Sequence, residues 1–163
     1  MSMTSPGTRT VPKFAYVGCY TTKERNGRGE GINVYRIDAA TGAWTHVQLL
    51  RDLVNPSWLE LDRRQRVIYA AHGDGEVVTA FAIDEPTGRL RPLGSQATRG
   101  RNGVRLGVDP SNRFIVVANY NSGTVAVLSI TVDGSPGPLT DLSTLSGTPG
   151  PHRTEQTSAH PHD

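Results

Sequence analysis

The chain repeats itself at an interval of 46 to 47 residues, and few folds are compatible with such a repeat. Leu61-Asp62, Arg66-Val67-Ile68 and Ala71-His72 line up with Val108-Asp109, Arg113-Phe114-Ile115 and Ala118-Asn119, 47 residues on throughout. Tyr35-Arg36-Ile37-Asp38 with Thr41-Gly42 matches Phe81-Ala82-Ile83-Asp84 with Thr87-Gly88 at a spacing of 46. Leu128-Ser129-Ile130 supplies a third copy, and Phe14 to Cys19 aligns with Val67 to His72 across a longer loop. The cleanest copy is Gly103 to Ile130. There, short runs of β-branched and aromatic residues alternate with Asp109-Pro110-Ser111-Asn112 and Tyr120-Asn121-Ser122-Gly123. Such runs between Pro, Asn, Asp and Gly read as strands joined by turns. A period of this length built from four short strands is the signature of a β-propeller blade.

Composition excludes most alternatives. The 163 residues include 18 glycines and 11 prolines, which leaves little room for helix. The longest stretch free of both, Ser57 to His72, is interrupted by the polar Asp62-Arg63-Arg64-Gln65. An all-β fold follows. The net charge is +2 and no Lys/Arg run reaches five, so a nucleic-acid partner is not expected. No apolar run approaches the 18 or so residues that span a bilayer, and no membrane partner is expected. The opening MSMTSPGTRT lacks the apolar segment of a signal peptide. A single cysteine, Cys19, excludes an internal disulfide framework. Together these point to the cytoplasm.

Residues 1–12 read as a disordered tail and 13–54 as a first blade that lacks its innermost strand. Residues 55–100 and 101–146 read as complete second and third blades. Residues 147–163 read as a linker and the truncated start of a fourth. The expected fold is a partial β-propeller of about three four-stranded blades. Three blades cannot close a ring, so the expectation is the N-terminal part of a chain about twice as long. Open blade edges also make self-association an expectation.

In an up-and-down blade the loops after the second and fourth strands share one face. Here they are longer and richer in chemistry than the turns on the other. That face collects Arg25, Arg28, His72, Arg101, Asn119, Asn121, Arg153, His160 and His162. Cations with His and Asn suit a small anionic substrate, and loops on a rigid scaffold are where function concentrates. The tail PHRTEQTSAHPHD is the densest segment. A metal would need more ligands than His160 and His162, and His152, Glu155 and Asp163 follow no established metal spacing. One histidine acting as general acid/base is the better reading. There is no G-x-S-x-G elbow and no Walker loop. The glycines 27, 29 and 31 precede a strand rather than a helix, so they do not form a phosphate loop. Cys19 reads as a small buried thiol rather than a nucleophile.

FAYVGCYT at 14–21, GINVYRID at 31–38, LGVDPSNRFIVVANYNSGTVAV at 106–127 and GPHRTEQTSAHPHD at 150–163 together resemble the propeller lactonase family. That family includes propeller-type 6-phosphogluconolactonases and fungal carboxymuconate cyclases. The resemblance implies seven blades and opening or closing of a lactone ring without metal or organic cofactor. It implies carbohydrate metabolism, within the pentose phosphate pathway, with a small anionic lactone as substrate. It places His162 as the catalytic acid/base, with Glu155 beside it. Arg153 and His160 then bind substrate, supported by Asn119 and Arg101 from neighbouring loops. The family's remaining site Arg and Glu residues fall in later blades, so the fragment alone is expected to be impaired. Two alternatives stay open: a non-catalytic propeller scaffold, and a lactonising enzyme of the carboxymuconate cyclase type.

Overall fold

The computed structural model describes residues 13–151, 154 and 156–162. The tail read at 1–12 lies outside them. Three antiparallel sheets follow one another along the chain. The first holds β1 (Phe14–Val17), β2 (Ile32–Ile37) and β3 (Trp44–Leu50) in that order. The second holds β4 (Pro56–Leu61), β5 (Val67–His72), β6 (Val77–Ile83) and β7 (Leu90–Ala97). The third holds β8 (Gly103–Val108), β9 (Phe114–Asn119), β10 (Thr124–Ile130) and β11 (Pro136–Thr144). The described residues include no α-helix, only a 3-10 turn at Lys23–Arg25. The fold is therefore all-β, three successive propeller blades, and β1 occupies the place of β5 and β9.

The repeat reaches into backbone detail. Each pairing of a blade's last two strands carries an irregularity at the same place: Val34/Tyr35, Ala80/Phe81 and Val127/Leu128. A bulge strengthens local twist and bends the outer strand away. The outermost strands also run further than apolar patterning shows. β7 extends beyond Leu93 to Ala97, and β11 has almost no buried side chain after Gly137. Both sit at a sheet edge, where Pro92, Pro136 and Pro138 cost no ladder hydrogen bond. At the other extreme β1 ends at Val17, one residue before a glycine. A Cβ on Gly18 would lie 2.0 Å from the Pro56 carbonyl oxygen, so the chain there passes against the next blade.

The core lies between the sheets. Ile32 and Val34 of the first meet Ile68, Ala70, Phe81 and Leu90 of the second. Val67, Tyr69, Ala71, Val78 and Ala80 of the second meet Leu106, Val108, Ile115, Val117, Ala126 and Leu128 of the third. β5 thus faces a neighbour on both sides and is buried at every position. β9, its copy, alternates: Ile115 and Val117 are buried while Val116 is 39 % exposed. The interfaces also share hydrogen bonds. The Tyr16 hydroxyl donates to the Gly88 carbonyl (3.1 Å), and the Tyr69 hydroxyl does the same at Gly134 (2.9 Å).

Turn chemistry fixes the register. Asp62 Oδ1 accepts from the N–H groups of Arg66 (2.6 Å) and Val67 (3.0 Å). Asp109 Oδ1 repeats this with Arg113 and Phe114, both at 2.7 Å. Burial opposes ionisation of Asp62, but its donors hold the carboxyl below the usual carboxylate range; the Ser111 hydroxyl, with the Phe114 and Arg113 N–H groups, does the same for Asp109.

Asn55 ties the first blade to the second from a left-handed conformation, φ 44°. Its Oδ1 accepts from Thr21 N (2.8 Å) and Thr22 N (3.0 Å), and its Nδ2 donates to Gly73 O (3.2 Å). Asn55→Ala strands those buried groups and strains the backbone. We expect a loss of about 2–4 kcal/mol, read as a lower urea midpoint in tryptophan fluorescence. A change below about 0.5 kcal/mol would show that this clamp does not hold the blades.

Candidate active site

The face that carries the loops after β5 and β9 is held together by asparagines. Asn102 stands 47 residues after Asn55 and shares its left-handed backbone, φ 58°. Its carbonyl accepts from Tyr120 N (2.9 Å), its Oδ1 accepts from Asp74 N (3.0 Å), and its Nδ2 donates to Asn121 Oδ1 (3.3 Å). Arg101 N donates to Ser122 Oγ (2.7 Å). The β9–β10 loop, 120–123, is therefore set by the loop before β8 and presented as a rigid ledge.

The AHPH segment rests on that ledge. The His160 ring lies flat on the Tyr120 ring, centroids 4.4 Å apart and planes 13° apart. Its Nδ1 is 2.9 Å from the Tyr120 carbonyl oxygen, and its Nε2 is 3.4 Å from Ser158 Oγ. His162 meets the same tyrosine edge-on at 6.1 Å and 88°. Gly123, at φ +62°, permits the approach, since a Cβ there would stand 2.7 Å from the Ala159 carbonyl oxygen. Tyr120, Gly147–Gly150, Gln156, Ser158, Ala159 and His160 line a cleft of about 440 Å³.

The sequence-based candidates separate clearly. His160 and His162 both lie against the Tyr120 ring. Glu155 and Arg153 lie outside the described residues. Asn119 is a correction: it is fully buried, with Oδ1 accepting from Thr98 Oγ1 and Nδ2 donating to Thr124 Oγ1, both at 3.2 Å. Its side chain joins the base of the loops and offers nothing to a substrate. Arg101 is exposed on the same face, with Nε 3.6 Å from Glu76 Oε1, a pairing weak enough to exchange for a ligand anion. Arg25 is engaged by Asp74 through two bonds of 2.6 and 2.5 Å. That pairing holds the Asp74 carboxyl low and raises the guanidinium.

His72 is buried too. Its Nδ1 donates to the Val54 carbonyl (2.7 Å), and its Nε2 accepts from Thr79 Oγ1 (2.9 Å). Burial pushes its pKa down, with the Val54 bond opposing in part. It belongs to the scaffold. Cys19 is partly buried and donates Sγ–H to the Gly31 carbonyl at 2.9 Å. Among the described residues no group of three His, Cys, Asp or Glu could hold a metal ion, and no helix is long and apolar enough to cross a membrane. A larger cleft of about 570 Å³ opens on the opposite face, around Asp62, Tyr69, Asn112 and Gly134. Its buried polar groups already bond one another across the blades.

Tyr120 and Ser158 were not singled out by sequence reasoning. The signal for Tyr120 lies in the repeat, which has Gly73 at the matching position. An aromatic where the copy has no side chain marks a departure from pure scaffold.

Comparison with known proteins agrees with this fold. Residues 14–163 match the family model described as Lactonase, 7-bladed beta-propeller. The chain is 32% identical over 147 residues to a Bacillus subtilis 6-phosphogluconolactonase, covering 88% of this chain and 40% of that protein. A Bacteroides fragilis crystal structure, described as a candidate 6-phosphogluconolactonase, superposes with a TM-score of 0.82 at 30% identity, covering 96% of this chain and 42% of that one. A periplasmic gluconolactonase of Pseudomonas aeruginosa gives a TM-score of 0.75 at 29% identity, covering 89% and 41%. The three successive sheets are those of a β-propeller. The chain belongs to the seven-bladed β-propeller lactonase family. It spans about 40% of the length of the curated relatives it matches.

Two outcomes follow from the site. Gly123→Ala should push the AHPH segment off its ledge. The ring-current shifts that Tyr120 imposes on His160 should collapse in NMR spectra while the blade resonances stay; retention of those shifts would refute the contact. For His72 the sign is set by its lowered folded pKa. The unfolded chain takes up this proton at about pH 6.5, while the folded chain resists it. Stability should be flat above that pH and fall as pH drops below it. Urea midpoints measured from pH 8 to 5 check this. His72→Gln should flatten the slope between about pH 6.5 and 5, whatever its own baseline stability.

Proposed function

We propose that this chain supplies part of the active site of a lactonase that hydrolyses a sugar-acid lactone, with 6-phosphogluconolactone as the leading substrate. The observation that carries the reading is the histidine pair against Tyr120, with His160 lining a cleft on the loop face. Family membership and relatives named 6-phosphogluconolactonase support it. Water attacks the ester carbonyl, an imidazole takes the proton, and the proton returns to the ring oxygen as the C–O bond breaks. Arg153 and Arg101 are the proposed anchors for the substrate's anionic group, and Glu155 a proposed partner of the catalytic histidine. On this reading the work is cytoplasmic and belongs to the pentose phosphate pathway. Neither metal nor organic cofactor is required by it.

The third blade adds a proposal about assembly. Phe114, Val116, Ala118, Val125 and Val127 stand 47 residues after Val67, Tyr69, Ala71, Val78 and Ala80, the very residues the second blade buries against the third. Their surface is apolar and ready for another sheet. The chain alone is expected to self-associate through it.

The function is tested by following lactone hydrolysis, above the spontaneous rate, with the protein that carries this chain. Replacing both His160 and His162 by alanine should cost about 100-fold or more in kcat. An unchanged rate removes the histidines from the chemistry. The assembly is tested by sedimentation of the 163-residue chain: wild type should exceed the monomer mass, and Val116→Lys should bring it down. A monomer at all concentrations would refute the contact.

A further inference from the structure

The first blade has an open face, and strand register defines what fits it. Where β2 pairs with β3, Tyr35 stands opposite His46 and Ile37 opposite Trp44. β6 and β7 repeat this 46 residues on, with Phe81 opposite Pro92 and Ile83 opposite Leu90. β1 continues the match. Ala15 pairs with Tyr35 and Val17 with Asn33, as Ile68 pairs with Phe81 and Ala70 with Thr79. Ala15, Val17, Tyr35 and Trp44 therefore occupy the places of Ile68, Ala70, Phe81 and Leu90. Those four are residues that the second blade buries against the first. In the first blade the same places are open: Trp44 is 56 % exposed and Val17 41 %, against 4 % for Leu90 and 0 % for Ala70. The aromatic group there is already ordered. The Tyr35 ring lies 5.5 Å from Trp44 and 5.3 Å from His46, and His46 Nε2 is 3.1 Å from Asn33 Oδ1. A face set before contact loses little side-chain freedom when it is covered.

The sheet that covers these places in the second blade presents Ile32 and Val34. Their counterparts 46 residues on are Val78 and Ala80, which the second blade buries against the third. Another 47 residues on they are Val125 and Val127, on the same face as Val116, which is 39 % exposed. None of these residues on either open face is Lys, Arg, Asp or Glu, so stacking the two faces removes no formal charge of theirs from water. One chain thus carries both halves of an interface that it already forms twice between its own blades.

We propose that copies of this chain stack head to tail, with the third-blade face around Val116 of one copy seated on the Tyr35–Trp44 face of the next. The inference rests on the self-association reading above and names the surface that receives it. The contact is heterologous: the two patches differ, so each copy keeps one of each. Trp44 is the anchor expected at its centre, since a large aromatic that passes from water into a packed seam carries much of the binding energy. A symmetric contact between two third-blade faces would leave Trp44 in water.

Sedimentation separates the two arrangements. Val116→Lys spoils the face that is donated and Trp44→Lys the face that receives it. Each change should raise the dissociation constant about 30-fold or more. Mixed in equal amounts, the two variants still share one intact face of each kind. The mixture should form a heterodimer at a concentration where each variant alone is monomeric. Trp44→Lys assembling like wild type, while Val116→Lys does not, overturns the head-to-tail contact alone. A measurement on the unaltered chain guards against variants that fail to fold. Diluting the assembled chain until it dissociates should red-shift its tryptophan emission, as Trp44 returns to water. Emission that stays constant across dissociation also overturns the inference. A wild-type chain that is monomeric at every concentration overturns the self-association reading itself, an outcome separate from these.

Discussion

Sheet-on-sheet burial is the constraint on which the rest of this structure depends. A four-stranded blade is apolar on both faces, so it is stable only between two neighbours. β5 shows the satisfied case, buried from Val67 to His72. Everything at the blade ends is placed by that stacking. Asp62 and Asp109 set the turns on one face, and Asn55 and Asn102 set the loops on the other. The hydrogen bonds at the blade ends choose register rather than supply most of the driving force, since each is worth little net compared with a buried apolar face.

The loop face shows how a repeat becomes a site. Asn55 and Asn102 do the same job in the same backbone conformation, each receiving a loop of the blade before it. The backbone bond repeats as well, from Gly73 N to Asn55 O and from Tyr120 N to Asn102 O. What differs is the residue that the scaffold presents. At one it is Gly73, packed beneath Tyr20 and Ser57; at the other it is Tyr120, whose ring and carbonyl organise His160. Chemistry enters where a copy breaks the pattern of its neighbour.

Much of this was legible in the sequence. The 46–47 residue period, the strand-and-turn alternation and the sorting of loops into a plain face and a chemical face all follow from local composition. The AHPH segment stood out because histidines are rare in this chain and two of them alternate there. Asn119 was misread because polarity where a strand meets a loop looks the same whether it faces water or a buried threonine. Only the closeness of Gly100, Thr98 and Thr124 turns its amide inward. His72 is the same case, the last residue of β5, buried as a link between Val54 and Thr79. The long outer strands escaped notice because an edge strand has one side chain in two against solvent and carries proline freely.

By itself the sequence determined the class of fold, the blade period and the position of the turns, because these depend on contacts within about 47 residues and on backbone preferences of Gly, Pro, Asn and Asp. Tertiary structure alone decided which polar groups are spent inside and which remain for a ligand. It placed Tyr120 under His160, 40 residues away in sequence, and so decided which ring nitrogen is left with a lone pair. That outcome depends on a carbonyl, a chemical group every residue carries, and it acquires a role only when folding brings it to an imidazole.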